Sequence, residues 1–437
     1  MGSSTIQRVR RNTAVTETPE GKLCLNILTR SPPNITMLLG LIGKANVGKS
    51  TFFNAATDLD IQCGNYPFTT IAPNMGITYA RVECVCREFG IQDNPVHSIC
   101  TDGIRFIPVK IMDVAGLIPG ASQGKGLGNK FLDDARQADA LVHVVDAAGS
   151  TDSEGRPISP GTGDPLFDIQ FVEEELDQWL ASILVRDWSK IAREAENQRL
   201  KIEQVIATRL SGLSIKEAEV FQTTGELGLS RTKAIEWSEN DILKFGRKVR
   251  SRSKPVVVAA NKADLQSAGD NLLKIKHLKD NVVPCSSEIE WVLRRATKKK
   301  MIQYLPGDSR FKIKQGASIN EQQRQALEKA GAFLHKYGST GVQEIINLTL
   351  FNLLKLIVVY PVEDELKLID KKGNVLPDAH LLPFNSNPRD LAHKIHAELG
   401  KGFLYAIDAR SKMRLGADYK LKNNDVLKIV SATKSGR

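Results

Sequence analysis

The chain has 437 residues, 41% of them hydrophobic and 25% charged, which is ordinary globular composition and enough length for two or three domains with cores of their own. A formal net charge of +10 excludes an acidic solvating chain and directs attention to partners that carry phosphate. No apolar run approaches membrane-spanning length, no N-terminal stretch has the apolar centre of a secretory signal, and six cysteines show no disulfide framework, so no membrane partner and a cytoplasmic site of action are expected.

Residues 1–36 mix Arg8, Arg10 and Arg11 with Thr, Glu and Pro19 and end in Ser31-Pro32-Pro33-Asn34. They read as a flexible extension, explained either by a misassigned upstream start or by a basic tail that touches nucleic acid. The apolar run Met37 to Ile42 predicts a buried strand, and a helical pattern begins at Ser50-Thr51-Phe52. Between them, Gly43-Lys44-Ala45-Asn46-Val47-Gly48-Lys49-Ser50 satisfies G-x-x-x-x-G-K-[ST] in the strand-to-helix context that such a loop needs. Gly43 and Gly48 let the backbone curl so that successive N–H groups, through Asn46, Val47 and on to Thr51, face phosphate oxygens at a helix N-terminus. Lys49 is expected on the β- and γ-phosphates and Ser50 on Mg²⁺. The chain therefore reads as a nucleoside-triphosphate binder.

Cys84-Val85-Cys86 and Cys100, with Asp93 and His97 between them, follow in a segment read as a hairpin. Three thiols could contribute to a structural zinc site but fall one short of a thiolate set, so reduced thiols are expected and zinc is not. Asp113-Val114-Ala115-Gly116 closes the strand-like run Phe106 to Met112 and fits the D-x-x-G switch element, with Asp113 toward Mg²⁺ and the Gly116 amide toward the γ-phosphate. Leu141 to Asp146 is a further apolar strand and contains His143. The spacing onward to Asn261 exceeds what a minimal core of this kind needs. Thr151 to Pro165 reads as a loop, and from Phe167 to about Leu210 helical spacing places Leu176, Leu180, Leu184, Trp188 and Ile191 on one side, followed by Ile202, Ile206 and Leu210. Capping-box patterns at Ser214-Ile215-Lys216-Glu217 and Ser238-Glu239-Asn240-Asp241 start two more helices. A helical, partly coiled-coil insert over 166–254 is expected, either projecting toward a partner or covering the sheet.

Asn261-Lys262-Ala263-Asp264 follows the apolar run Pro255 to Ala260 and fits N-K-x-D, in which one carboxylate accepts from both the ring N–H and the exocyclic amine of guanine. The run Val282 to Glu288, with Ser286 and Ser287, fits the element whose backbone faces the base edge. Ser318 to Leu354 reads as helical. Beyond it Leu356–Tyr360 and Leu366–Ile369 read as strands, Asn387-Pro388 opens a helix running to Gly400, and Phe403–Asp408 and Val426–Val430 are strands again, the order of a small β-grasp domain. The expected architecture is α/β: a P-loop GTPase domain over 37–165 and 255–352 with a doubly wound, mostly parallel sheet, the helical insert, and a β-grasp domain over 353–437.

Asn65-Tyr66-Pro67-Phe68-Thr69-Thr70-Ile71-Ala72-Pro73-Asn74, the run Asp113 to Ser122, and Gly126-Leu127-Gly128-Asn129 together resemble the Obg-related GTPases, and within them the YchF branch, also called Obg-like ATPases. The C-terminal segment is similar to the TGS domain of that branch. The resemblance implies that Thr70, or its neighbour Thr69, joins the magnesium shell. It also implies that Leu117 replaces a water-orienting glutamine, so that turnover is slow. Asn46 would help to seat a potassium ion, against the alternative of an asparagine that steadies the loop; His143 would take part in hydrolysis, against the alternative of a core histidine. Relatives can carry a fourth cysteine near Asp93, so a zinc site would be altered or lost here. Many members lack the consensus N-K-x-D and prefer ATP. Asn261, Lys262 and Asp264 are intact in this chain, so GTP is expected over ATP.

Basic residues cluster at Lys244 to Lys254, Arg294-Arg295, Lys298-Lys299-Lys300 and Lys312 to Lys314, which makes RNA or the ribosome the expected partner of a monomer. Three functions fit: a slow GTPase switch, a nucleotide-gated binding module with incidental hydrolysis, and an ATP-using stress regulator. Intact Asp264 disfavours the last.

Overall fold

The computed structural model describes residues 37–57, 70–72, 74–114, 116, 134–213 and 215–432. The expectations placed on 1–36, Thr69, Leu117, and 126–129 lie outside the described residues, as do Cys24 and Cys63.

The chain opens with β1 (Leu38–Ile42), every residue of it buried, and turns through the phosphate-loop motif into α1 (Lys49–Thr57). There follow β2 (Thr70–Ala72), β3 (Met75–Glu83), the short α2 (Cys86–Phe89), β4 (Ile99–Thr101), β5 (Ile104–Asp113) and β6 (Ala140–Asp146). After an insert come β7 (Val256–Asn261) and β8 (Val282–Pro284). These strands form one sheet in the order β2-β3-β5-β1-β6-β7-β8, with β4 on β5. β5, β1, β6, β7 and β8 are mutually parallel, and β2, β3 and β4 add antiparallel pairing at one edge. The uninterrupted apolar strands identified in the sequence are those buried on both faces, as parallel strands between helical layers must be. Phosphate and base motifs therefore all emerge at the carboxyl ends of neighbouring parallel strands, where α/β sheets place their ligands.

The insert is a set of helices that fold back on one another around a shared core. Asp164 caps α3 (Pro165–Val185) by accepting from the Leu166 and Phe167 N–H groups, with Pro165 at the first turn. The chain then breaks into α4 (Trp188–Asn197), α5 (Ile202–Arg209), α6 (Glu217–Glu226) and α7 (Glu239–Ser253). Leu180, Leu184, Trp188, Ile191, Ile206 and Leu210 share a core with Trp237, Phe245 and Val249, and the Trp188 and Trp237 rings stack at 4.9 Å. Folding back around a common core removes the apolar stripe that a coiled coil would have needed for a partner helix. Asp177 of α3 ties α7 down through Arg247 at 3.0 Å and Arg250 at 2.8 Å. Arg252 and Lys248 pair with Glu226, and the Lys254 ammonium is buried on the Arg136 and Ala138 carbonyls. Much of the Lys244 to Lys254 cluster thus neutralises the insert from within rather than forming an open cationic face.

The sheet is completed by α8 (Ala268–Leu278) and α9 (Ser287–Lys298), then a small ribbon of β9 (Ile302–Gln303) and β10 (Lys312–Ile313), α10 (Glu321–Tyr337) and α11 (Val342–Asn347). The C-terminal sheet contains β11 (Leu356–Val362), β12 (His380–Pro383), β13 (Phe403–Asp408), β14 (Arg414–Leu415) and β15 (Asp425–Ser431) in the order β12-β11-β15-β13-β14. β11 runs parallel to β15, the mark of a β-grasp, and α12 (Pro388–Ile395) and α13 (Ala397–Lys401) cover it. The strand expected at Leu366–Ile369 does not form: Leu368 takes a left-handed conformation with φ 59° and the segment makes only isolated bridges. His380–Pro383 supplies the second strand instead. The helix expected to run to Gly400 is interrupted at His396, which is extended and caps α13. One continuous core joins the two domains, with Ala80, Cys84, Val85 and Ile107 packed alongside Val358, Tyr360, Leu376 and Val426.

Candidate nucleotide site

The phosphate loop leaves no room for side chains where glycine was expected. A Cβ on Gly43 would stand 2.4 Å from the Val144 carbonyl oxygen, and one on Gly48 would stand 2.3 Å from Asn261 Nδ2, with φ at +139° and +98°. Only glycine occupies such backbone without strain. The Asn261 amide donates to the Val47 carbonyl at 2.9 Å and accepts at Oδ1 from the Ser287 N–H and hydroxyl, both at 3.0 Å. The base motif and the phosphate loop are therefore one hydrogen-bonded unit, with Asn261 and Ser287 in positioning roles. Lys262, at φ 59°, reaches across to the Asn46 carbonyl at 3.0 Å, the Asp146 carboxylate at 3.0 Å and the Ser150 hydroxyl at 2.9 Å.

Lys49 is buried, and its ammonium donates to the Lys44 carbonyl at 2.7 Å. Burial lowers its pKa, opposed by the nearby Asp113 carboxylate. A side chain on Gly116 would come within 3.5 Å of the Lys49 ammonium, so the D-x-x-G element lies directly against the loop. The Ser50 hydroxyl donates to Asp113 Oδ2 at 2.8 Å, while Asp113 Oδ1 is buried with no hydrogen-bond partner. Burial raises the Asp113 pKa, against the opposing pull of Ser50 and Lys49. A carboxylate with one unmatched oxygen beside a hydroxyl is an oxygen donor pair suited to a hard divalent cation, so these residues fit Mg²⁺. Thr70 stands at the start of β2, paired with Gly76. Thr51 lies one residue beyond Ser50, half-buried in α1.

Asp264 is bracketed by donors. Oδ1 accepts from the Ser286 hydroxyl at 2.8 Å, and Oδ2 from the Lys329 ammonium of α10 at 2.6 Å. The carboxylate is only 6% exposed, whereas Lys329 is half-exposed. Ser286 also caps α9 by accepting from the Ile289 N–H. Each oxygen of the Asp264 carboxylate thus has a donor, Oδ1 a hydroxyl and Oδ2 an ammonium.

Other expected residues fall differently. The Asn46 amide donates to the Gly155 carbonyl at 2.9 Å, and the glycine-rich loop after β6 folds over the phosphate loop there. That contact matches the loop-steadying alternative. His143 is fully buried in β6 between β1 and β7; burial pushes its pKa to about 3, and Nδ1 has no partner. The placement fits a core histidine. Cys84, Cys86 and Cys100 do converge, joined by Asp93, at the end of β5 opposite Asp113.

Three contributors escaped the sequence reading. Asp146 accepts from the Ala148 and Ser150 N–H groups, the Ser150 and Thr151 hydroxyls and Lys262, and so organises the loop beneath the base motif. The buried ammonium of Lys44 pairs with Asp168 of α3 at 2.7 Å and donates to the Asp152 carbonyl, fastening the phosphate loop to the insert. Burial outweighs that pairing and moves the Asp168 pKa to about 6. Lys329 is the third, and an isolated lysine on a polar helix carries no sequence signal of its role.

Known GTP-binding proteins resemble this chain over most of its length. Residues 38–186 match the model of the 50S ribosome-binding GTPase family, residues 259–364 that of the Obg-like GTPase YGR210-like, G4 motif-containing domain, and residues 372–431 the TGS domain. An uncharacterized GTP-binding protein of Methanocaldococcus jannaschii is 51% identical over 399 residues, covering 91% of this chain and all of the relative. The ribosome-binding ATPase YchF of Bacillus subtilis is 28% identical, covering 71% of this chain and 80% of its own. A crystal structure of a GTP-binding protein from Pyrococcus horikoshii superposes with a TM-score of 0.73 at 42% identity, covering 91% of this chain and all of that one. With its phosphate loop, switch aspartate and base motif joined in one site, and a TGS domain packed on the same core, the chain belongs to the YchF branch of the Obg-like P-loop GTP-binding proteins.

Proposed function

We propose that the protein is a slow, guanine-selective GTPase that acts as a switch together with ribosomal RNA or the ribosome. The observation that carries this reading is the Asp264 carboxylate, buried, set by Ser286 and tied through Asn261 to the phosphate loop. Guanine offers two N–H donors to such a carboxylate and adenine does not. Ser50 and Asp113, with Thr70 from the switch segment, would hold Mg²⁺, which neutralises charge on the transferring phosphoryl group. Lys49 binds the β- and γ-phosphates, and the Gly116 amide registers the γ-phosphate. Leu117 gives no side chain that can orient water, so intrinsic turnover is slow and partner-dependent. Asn46 stays a candidate for a potassium ion through its side-chain oxygen. His143, sealed in the sheet, is assigned to packing rather than to proton transfer.

Ribosome binding is supported by the names of relatives in bacteria and by the family of the N-terminal match. Exposed lysines at 298–300 and 312–314, away from the internal pairings of the insert, are the basic surface that fits RNA. Competition against a fluorescent guanine nucleotide tests selectivity: GTP and GDP should displace it at least tenfold more effectively than ATP, and Asp264→Asn should shift preference toward xanthine nucleotides. Equal displacement by adenine nucleotides refutes the guanine reading. Hydrolysis in potassium buffer with and without ribosomal subunits tests the switch. Stimulation by one subunit supports it; none leaves the nucleotide-gated binding module in its place.

A further inference from the structure

We infer that Cys84, Cys86, Asp93 and Cys100 form a tetrahedral site for a structural zinc ion at the seam between the nucleotide domain and the β-grasp domain. The sequence alone offers three thiols here, one short of a thiolate set. Folding changes the count, because the loop after α2 carries the Asp93 carboxylate into the fourth corner.

The four ligand atoms all lie within 4.8 Å of one another. The Cys86 and Cys100 sulfurs are 3.8 Å apart, and the Cys84 sulfur is 3.1 Å from Asp93 Oδ2. Zinc bonds of about 2.3 Å to sulfur and about 2.1 Å to oxygen in a tetrahedron put sulfurs about 3.8 Å apart and sulfur and oxygen about 3.6 Å apart. The observed spacings need shifts of only about half an ångström to a full one. Backbone geometry fixes them: Cys84 and Cys86 sit where β3 turns into α2, and Cys100 lies on β4 directly opposite Arg105 of β5.

Charge supports the assignment. Three thiolates and a carboxylate around a divalent cation leave two net negative charges in a buried place, which calls for a cation close by. Arg105 is that cation. It is fully buried, donates to Asp93 at 2.7 Å and places two N–H groups on the Cys84 sulfur at 3.3 and 3.4 Å. The Tyr360 ring lies under the same guanidinium, 5.5 Å from its carbon, and the Tyr360 hydroxyl is buried without a partner. The site would staple the irregular segment 91–98, which contacts the other domain through the Val96 N–H on the Pro377 carbonyl at 2.8 Å and His97 on Asp378 at 2.6 Å, while Arg105 of β5 reaches the Leu376 carbonyl at 3.2 Å. The ion would therefore secure the domain seam and take no part in nucleotide chemistry.

The test uses the full chain purified without chelator. Elemental analysis should give one zinc per chain. After removal of zinc and reduction, added Co²⁺ should produce thiolate-to-cobalt charge-transfer absorption together with the strong visible bands of a tetrahedral ion. Asp93→Asn should weaken Zn²⁺ binding at least tenfold against a chromophoric chelator, and Asp93→Cys should restore or exceed the original affinity, with guanine-nucleotide binding checking that each variant is folded. Zinc-free protein without cobalt–thiolate absorption overturns the inference. So does zinc content unchanged in Cys84→Ser/Cys100→Ser, or a Cys86–Cys100 disulfide in the protein as purified.

Discussion

On the proposed reading of Asp264 as the base-binding carboxylate, Lys329 competes with the base, and removing it should strengthen nucleotide binding. The ammonium lies 2.6 Å from Asp264 Oδ2, one of the two oxygens that guanine must reach. Before the base can dock, that ion pair must open. The carboxylate is buried but the lysine is half-exposed, so the pair falls in the class screened by solvent and worth about 1 kcal/mol. Lys329→Ala should accordingly tighten GDP and GTP about fivefold, since 1.4 kcal/mol corresponds to a factor of ten. Titration of a fluorescent GDP analogue into both proteins at low and at high salt gives the ratio directly. The advantage of the variant should be greatest at low ionic strength, where the competing pair is strongest, and should shrink as salt screens it. Unchanged or weaker GDP binding by Lys329→Ala at low salt would refute the reasoning and make Lys329 part of the base pocket rather than its competitor.

Two further outcomes follow from buried charge. His143, with its folded pKa near 3 against an ordinary value of 6.5, binds fewer protons folded than unfolded, so its contribution is complete above pH 6.5 and is lost as pH falls toward 3. The loss approaches about 1.4 kcal/mol per pH unit, and His143→Gln should flatten the decline in urea-unfolding free energy between pH 6.5 and 4.5 by about that slope, leaving a residue from His380, whose pKa burial lowers to about 4. An unchanged slope would show that His143 is not the titrating group. Lys44→Met at pH 7.5 strands Asp168 in the interior and should destabilise by about 3 kcal/mol, whereas Lys44→Met/Asp168→Leu should recover most of that loss. Additive losses in the double variant would show that the two side chains act independently.

The legible parts of the site were those whose function is carried by contiguous residues. The glycines, Lys49 and Ser50 are read from one turn because the motif is confined to that turn, and Asp113 and Asn261 from their places at the ends of apolar strands. What escaped depends on partners far apart in the chain: Lys329 lies 65 residues beyond Asp264, and Asp168 lies 124 beyond Lys44. No local pattern marks either. Asp93 belongs with the thiols only once β3, α2 and β4 are folded together. The broken helices of the insert and the absent strand at Leu366–Ile369 have a related cause: spacing of apolar residues records burial, but turns and left-handed positions such as Leu368 decide where the chain stops being regular. The β-grasp topology still came through, because its strands at Leu356 and Val426 are buried and paired with each other.

The shared core of the two domains has a mechanical consequence. A terminal module on a tether can search space and report by proximity; one whose Tyr360, Leu376 and Val426 share a core with Ala80 of β3 and Ile107 of β5 moves with that sheet. Cutting the chain near residue 353 would bare that apolar seat to water, so a truncated nucleotide domain should aggregate instead of behaving as a simplified version of the whole. Whatever surface this protein offers to a large partner is accordingly presented at a fixed angle to the nucleotide, as the blade of a key is fixed to its bow.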